Sequence, residues 1–296
     1  MHKKLSLGLC LLLAAEPALA APCAFEGNPP SGAQVVVYNS PGGTNSTAGI
    51  TTTQSNEPIF LTFFASSEQA AGPGPVVTGI TGGGLTFTKR VGLGGQLITA
   101  CISSPQNCLV DFEVWEAEAS SPLTGQAFAV TATTGGATGA ILGAFGLANT
   151  TSPSSPWDPS GSLPATTSDI NGTGSVPVVT GVSTSNTNDL ILQFCGTANN
   201  IGQFSCTGQQ NTGWSIATAS ASFLNSFVNY QIGSGVYYKT VSSTLSGVTL
   251  DAIATISGGA DPTTSTRNWI NFGDAIKCAG PAPPPTGAIP HVWVNE

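Results

Sequence analysis

Apolar and polar residues alternate along this chain with a period of two, and no stretch carries the 3.6-residue period of an amphipathic helix. Leu85-Thr-Phe-Thr-Lys-Arg90 alternates as a half-buried strand should, and Ile59 to Phe64 is a continuous apolar run that reads as a buried strand. Further strands are expected at Ala33–Tyr38, Leu97–Cys101, Leu109–Ala119, Gln126–Thr131 and Ala140–Leu147. Beyond these come Val176–Val182, Leu190–Cys195, Gly213–Ala219, Val228–Val241, Val248–Ile256 and Trp269–Lys277. About a dozen strands joined by Gly, Ser and Asn turns predict an all-β fold: a two-sheet antiparallel sandwich, jelly-roll-like in connectivity.

The connections add detail. Leu97–Cys101 and Leu109–Ala119 form a hairpin across the segment Cys101 to Cys108. The segment Ala148–Gly174, rich in Ser, Pro, Asn and Gly, reads as one long loop over an end or face of the sandwich, of the kind that carries function. A hexapeptide recurs as Pro75-Val-Val-Thr-Gly-Ile80 and Pro177-Val-Val-Thr-Gly-Val182, but its flanks do not align, so it marks a shared strand type at most.

The ends differ from the middle. Residues 1–20 have a basic start, an apolar run and an Ala-Leu-Ala cleavage site, the form of an export signal. The sandwich domain then covers 21–278, and 279–296 form a proline-rich linker and tail. Within that tail the apolar strip 289–294 offers a strand for self-association by edge pairing. No later segment is suited to span a membrane. The protein is therefore expected outside the cytoplasm: extracellular, at the cell surface or in the periplasm.

Charge narrows the partners. Only 7% of residues are charged, against about 25% in typical globular proteins. Past residue 20 there are five basic residues and fourteen acidic ones. No basic stripe exists for nucleic acid. Six cysteines remain after residue 20, and spacing pairs them as Cys101–Cys108, Cys195–Cys206 and Cys23–Cys278. Without a CxxC pair, and with His291 the one histidine past residue 20, no metal centre of the zinc type and no Ser-His-Asp triad is expected.

Candidate chemistry concentrates in one strand. Asp111, Glu113, Glu116 and Glu118 surround Trp115. Strand geometry puts Asp111 and Glu113 on one face and Glu116 and Glu118 on the other, unless a bulge near Trp115 brings Glu113 and Glu116 together. The run also offers hard oxygen ligands for a structural calcium ion; no other cofactor is implied. In the long loop, Trp157 beside Asp158 is placed to stack on a sugar or to plug the loop onto the sandwich. Trp157, Asp158, Trp115 and Glu118 are thus the candidate ligand contacts.

Two resemblances follow from quoted motifs. Leu85-Thr-Phe-Thr-Lys-Arg90, Phe112-Glu-Val-Trp-Glu-Ala117, Ser155-Pro-Trp-Asp158, Asn188-Asp-Leu-Ile-Leu-Gln193, Thr212-Gly-Trp214 and Asn229-Tyr-Gln231 together resemble a poorly characterised β-sandwich module of secreted bacterial proteins. That likeness implies the fold and export, and no catalytic residue. Asp111-x-Glu113-x-x-Glu116 is similar to the Glu-x-Asp-x-x-Glu strand of laminarinase-like jelly-roll glycosidases, with the first two carboxylates exchanged. It implies a retaining glycoside hydrolase using Glu113 and Glu116, with Asp111 beside them. The principal expectation is instead a non-catalytic surface, matrix or adhesive protein with a glycan or surface polymer as partner. A structural subunit assembling through its tail is the third reading.

Overall fold

The computed structural model describes residues 22–26, 35–38, 44–67, 74–93, 96–98, 108–133, 137–169, 178–200, 213–225, 230–252 and 269–280. The expected signal 1–20, Cys101, Cys206 and the strip 289–294 lie outside them.

The described chain is all β, in antiparallel sheets. Its strands are β1 (Ala24–Glu26), β2 (Val35–Tyr38), β3 (Thr44–Ser46), β4 (Glu57–Ser67), β5 (Val76–Thr81) and β6 (Thr88–Gly92). Then come β7 (Gln96–Ile98), β8 (Cys108–Ala119), β9 (Ala129–Thr133), β10 (Ala137–Ala148), β11 (Ala165–Asp169) and β12 (Val179–Val182). The last five are β13 (Asp189–Asn200), β14 (Ser215–Asn225), β15 (Tyr230–Val241), β16 (Val248–Leu250) and β17 (Trp269–Lys277).

Two large sheets form the centre. One has the order β1-β10-β4-β8-β6, with β2 also on β10 and β7 also on β8; the other runs β11-β17-β13-β15-β14. Phe60, Phe64, Phe112 and Phe145 of the first pack against Phe194, Ile232 and Phe272 of the second. Phe194 and Phe272 stack with centroids 4.5 Å apart, and Phe112 meets Phe272 edge-on at 4.9 Å. Gly196 makes this approach feasible: a Cβ there would lie 2.5 Å from the Phe64 ring.

The expectation of two sheets needs correction, because two smaller sheets cover the outer faces. β3-β9-β5 lies over the first large sheet, burying Phe63, Leu61, Ile59, Phe128 and Val130. β12-β16 lies over the second, burying Val179, Ile191, Tyr237 and Leu250. The physical reason was present in β4. From Ile59 to Ala65 every side chain is buried, so the run does not alternate; a strand reads that way when both faces are covered. The recurring hexapeptide falls in these cover layers, with Val77 of β5 and Val179 of β12 both buried beneath them. Its two copies share a packing role.

The hairpin expected between residues 97 and 119 is formed by β7 and β8, with Ile98 opposite Cys108. The expected single loop at 148–174 is not structureless: β11 pairs with β17 throughout its length. A disulfide joins Cys23 to Cys278 across 255 residues, a link that contributes up to about 5 kcal/mol by constraining the unfolded chain. Cys195 is disulfide-bonded as well. Among the described residues no helix is long and apolar enough to cross a membrane.

Candidate functional site

The acidic strand β8 is an interior strand of the first sheet, between β4 on one side and β6 and β7 on the other. Its register with β4 is unbroken from Leu109↔Ser67 to Ala119↔Glu57. An unbroken register preserves strict alternation, so Glu113 and Glu116 emerge on opposite faces. The irregularity is on the neighbouring side, where β6 shifts register between Lys89 and Val91. The bulge needed to unite Glu113 with Glu116 is therefore not in β8, and no single substrate atom meets both carboxyls.

Asp111 and Glu113 face the β3-β9-β5 cover layer and are buried. Glu113 is fully engaged. Its Oε1 accepts from Lys89 Nζ at 2.8 Å and from the Val77 backbone N–H at 3.3 Å, and its Oε2 accepts from Trp115 Nε1 at 2.6 Å. Neither Asp111 oxygen receives a donor. Burial, followed by the hydrogen bond and charge of Glu113, raises the Asp111 pKa well above the usual carboxylate range. Asp111 is thus held toward its neutral form beside Glu113. Trp115 is half-buried, and the Lys89 ammonium lies 5.1 Å from its ring centroid. Its indole is committed to this internal cluster.

Glu116 faces the other way. Its carboxylate accepts from Trp157 Nε1. Trp157 is 6% exposed, with Phe60 edge-on at 5.1 Å and the Arg90 guanidinium 4.8 Å from the ring centroid. Arg90 in turn donates to the buried Asp274 of the second sheet through Nε at 2.8 Å and Nη2 at 3.2 Å. Burial raises the pKa of Glu116 while the Trp157 hydrogen bond and Arg90 oppose the rise. Trp157 is therefore the plug of its loop and not an open stacking platform.

Asp158 is a loop organiser. It accepts from the backbone N–H groups of Ser160, Ser185 and Asn186 and from Asn186 Nδ2, all within 3.0 Å. Burial acts to raise its pKa, but these donors outweigh it and the net shift is downward. They tie the 158–162 segment to the turn before β13, and leave Asp158 buried rather than presented to a ligand.

The carboxylate run opens to solvent at a polar groove of ≈180 Å³ at the end of β8. It is lined by Thr86, Thr88, Glu116, Ala117, Glu118, Pro153 and Ser154. Thr86, Thr88, Glu118 and Ser154 are exposed. Of the four expected ligand contacts, only Glu118 lines this groove; Glu116 joins it from the carboxylate run. Thr86, Thr88 and Ser154 were not expected, because isolated hydroxyls in a hydroxyl-rich chain carry no signal. Lys89 and Arg90 did carry one. They are adjacent in a strand and supply two of only five basic residues past the leader-like segment. Alternation sends them to opposite faces, where each meets a buried acid. Among the described residues no group of three or more His, Cys, Asp or Glu side chains is arranged to hold a metal ion.

No protein-family profile, curated protein or solved structure matches the chain.

Proposed function

We propose that the protein is an exported, non-catalytic β-sandwich that binds a neutral or amino-sugar polysaccharide through the groove at Thr86, Thr88, Glu118 and Ser154. The observation that carries this reading is the division of the carboxylate run. Glu113 serves the interior, Glu116 holds Trp157, and Glu118 is left exposed among three hydroxyls. Hydroxyls and a carboxylate are the groups that pair with sugar hydroxyls, whereas retaining hydrolysis needs two carboxyls about 5–5.5 Å apart on one substrate. With no indole lining the groove, the contact per sugar is weak, and a repeating polymer supplies the strength by multivalency. The excess of acidic residues disfavours anionic polymers.

The test is a glycan array probed with the 21–296 chain, followed by binding measurements on Thr86→Ala/Thr88→Ala and Glu118→Ala. A neutral or amino-sugar polymer is expected to bind, and each variant to lose about tenfold or more. Binding unchanged in both variants, no glycan bound at all, or hydrolysis of the bound polymer would each overturn the proposal.

A further inference from the structure

A second pair of acidic residues lies far from the groove in sequence, on the first sheet beside the turn 51–56. In β10, Gly146 is opposite Glu26 of β1 on one side and Ile59 of β4 on the other. Glu57 lies two residues before Ile59, so Glu26, Gly146 and Glu57 share the face that looks toward β3-β9-β5. Gly146 has no side chain, and the space it leaves is taken by the Glu57 carboxyl: a Cβ on Gly146 would stand 2.4 Å from Glu57 Oε1. The two carboxyls meet over that glycine.

Their environments differ. Glu26 is half-buried, and its carboxylate is oriented by the Thr53 N–H and the Thr53 hydroxyl. Glu57 is 1% exposed, and neither of its oxygens has a hydrogen bond of normal geometry. Burial, the Glu26 charge and the Glu26 carboxyl favour its neutral form, and the Gln54 N–H and the Thr52 hydroxyl oppose them more weakly. Among the described residues no basic side chain is ion-paired with either carboxyl: the ion pairs there are Lys89–Glu113 and Arg90–Asp274. Two adjoining carboxyls, one buried with neither oxygen hydrogen-bonded at normal geometry, make a concentrated negative site once both are ionised, and that state needs a positive charge.

We propose that Glu26 and Glu57 bind a calcium ion over Gly146. Both carboxylates present hard oxygens, the donors calcium takes, and its flexible six- to eight-fold shell is completed by water on the half-open Glu26 side. The Thr53 bonds to Glu26 play the orienting part that outer partners play at metal sites. Magnesium fits poorly, because it demands a compact octahedron and sheds water reluctantly. A site with two carboxylates and a water-filled remainder belongs in the weak range of extracellular modules, a Kd of roughly 10⁻⁴–10⁻³ M. The ion would pin β1 and the 51–56 turn to the sheet next to the Cys23 end of the disulfide.

The competing occupant is a proton shared between the carboxyls; burial first, and then Glu26, push the Glu57 pKa up to about 8. The two are separated by thermal melts of the oxidised 21–296 chain, stripped with EDTA and titrated with CaCl2, MgCl2 or NaCl at matched ionic strength. Calcium is expected to raise Tm saturably by about 3–6 °C at roughly 10 mM, and magnesium and sodium much less. Equilibrium dialysis should give one calcium per chain. Glu57→Gln and Glu26→Gln should each abolish the saturable response. Glu26→Gln carries the test if the buried substitution prevents folding. Asp251→Asn, an exposed carboxylate elsewhere, should retain the response. A wild-type chain that answers calcium no more than sodium, or a Glu26→Gln variant that still answers it, would overturn the assignment and leave the shared proton in its place.

Discussion

Arg90 Nε lies 2.8 Å from Asp274 Oδ2, and this contact joins β6 of the first large sheet to β17 of the second. Asp274 is fully buried, while the Arg90 side chain keeps 23% of its surface. Burial first, and then the Asp158 charge, raise the Asp274 pKa; the two-pronged arginine contact opposes that rise without cancelling it.

Removing the arginine strands a buried acid, so Arg90→Met is expected to cost about 3 kcal/mol. Asp274→Asn costs less, since no bare charge remains. The double variant should recover part of the Arg90→Met loss, because the stranded carboxylate is gone. Urea unfolding of the four proteins in a double-mutant cycle measures the coupling. Simple additivity would mean that the pair does not act as a unit.

Trp157 provides the second prediction. It fills space between Phe60 and Arg90 and donates to Glu116. Trp157→Ala should cost about 3–5 kcal/mol, as other large-to-small core changes do. Trp157→Phe keeps most of the apolar volume and loses the N–H, so about 1–2 kcal/mol is expected. Chemical denaturation reads both. A stable, well-folded alanine variant would show that the ring is not part of the core.

The third concerns pH. Burial, then Asp158, push the Asp189 pKa up to about 7, and Glu57 reaches about 8. In the unfolded chain both ionise near pH 4. Between these values the folded chain holds more protons than the unfolded one. The stabilising contribution is complete below about pH 4 and falls as pH rises through 7 to 8. Asp158 works the other way, contributing above its unfolded pKa and losing that contribution in stronger acid. In EDTA, Tm should therefore be higher at about pH 5 than at about pH 8.5, and Asp189→Asn should flatten the decline between about pH 4 and pH 7. A Tm that climbs across this interval would contradict the assigned protonation states.

The sequence by itself determined the strand content and the β7–β8 hairpin, and it put Glu113 and Glu116 on opposite faces unless a bulge intervened; the unbroken β4–β8 register decided that point. Each follows from local rules: period-two alternation, turn residues, and the pleat that sends neighbouring side chains apart. The pairing of Cys23 with Cys278 was legible by elimination. The tertiary structure decided what those side chains meet. Alternation says that Asp111 and Glu113 share a face, but only the β3-β9-β5 layer makes that face an interior, and burial there is what raises the Asp111 pKa. Trp157 sits in a polar loop whose composition suggests exposure; its burial depends on Phe60, Arg90 and Glu116, each at least forty residues away in the sequence. Glu26 and Glu57 are unremarkable where they stand in the chain, and become neighbours only because β1 and β4 flank β10 at the one position, Gly146, where no side chain keeps them apart.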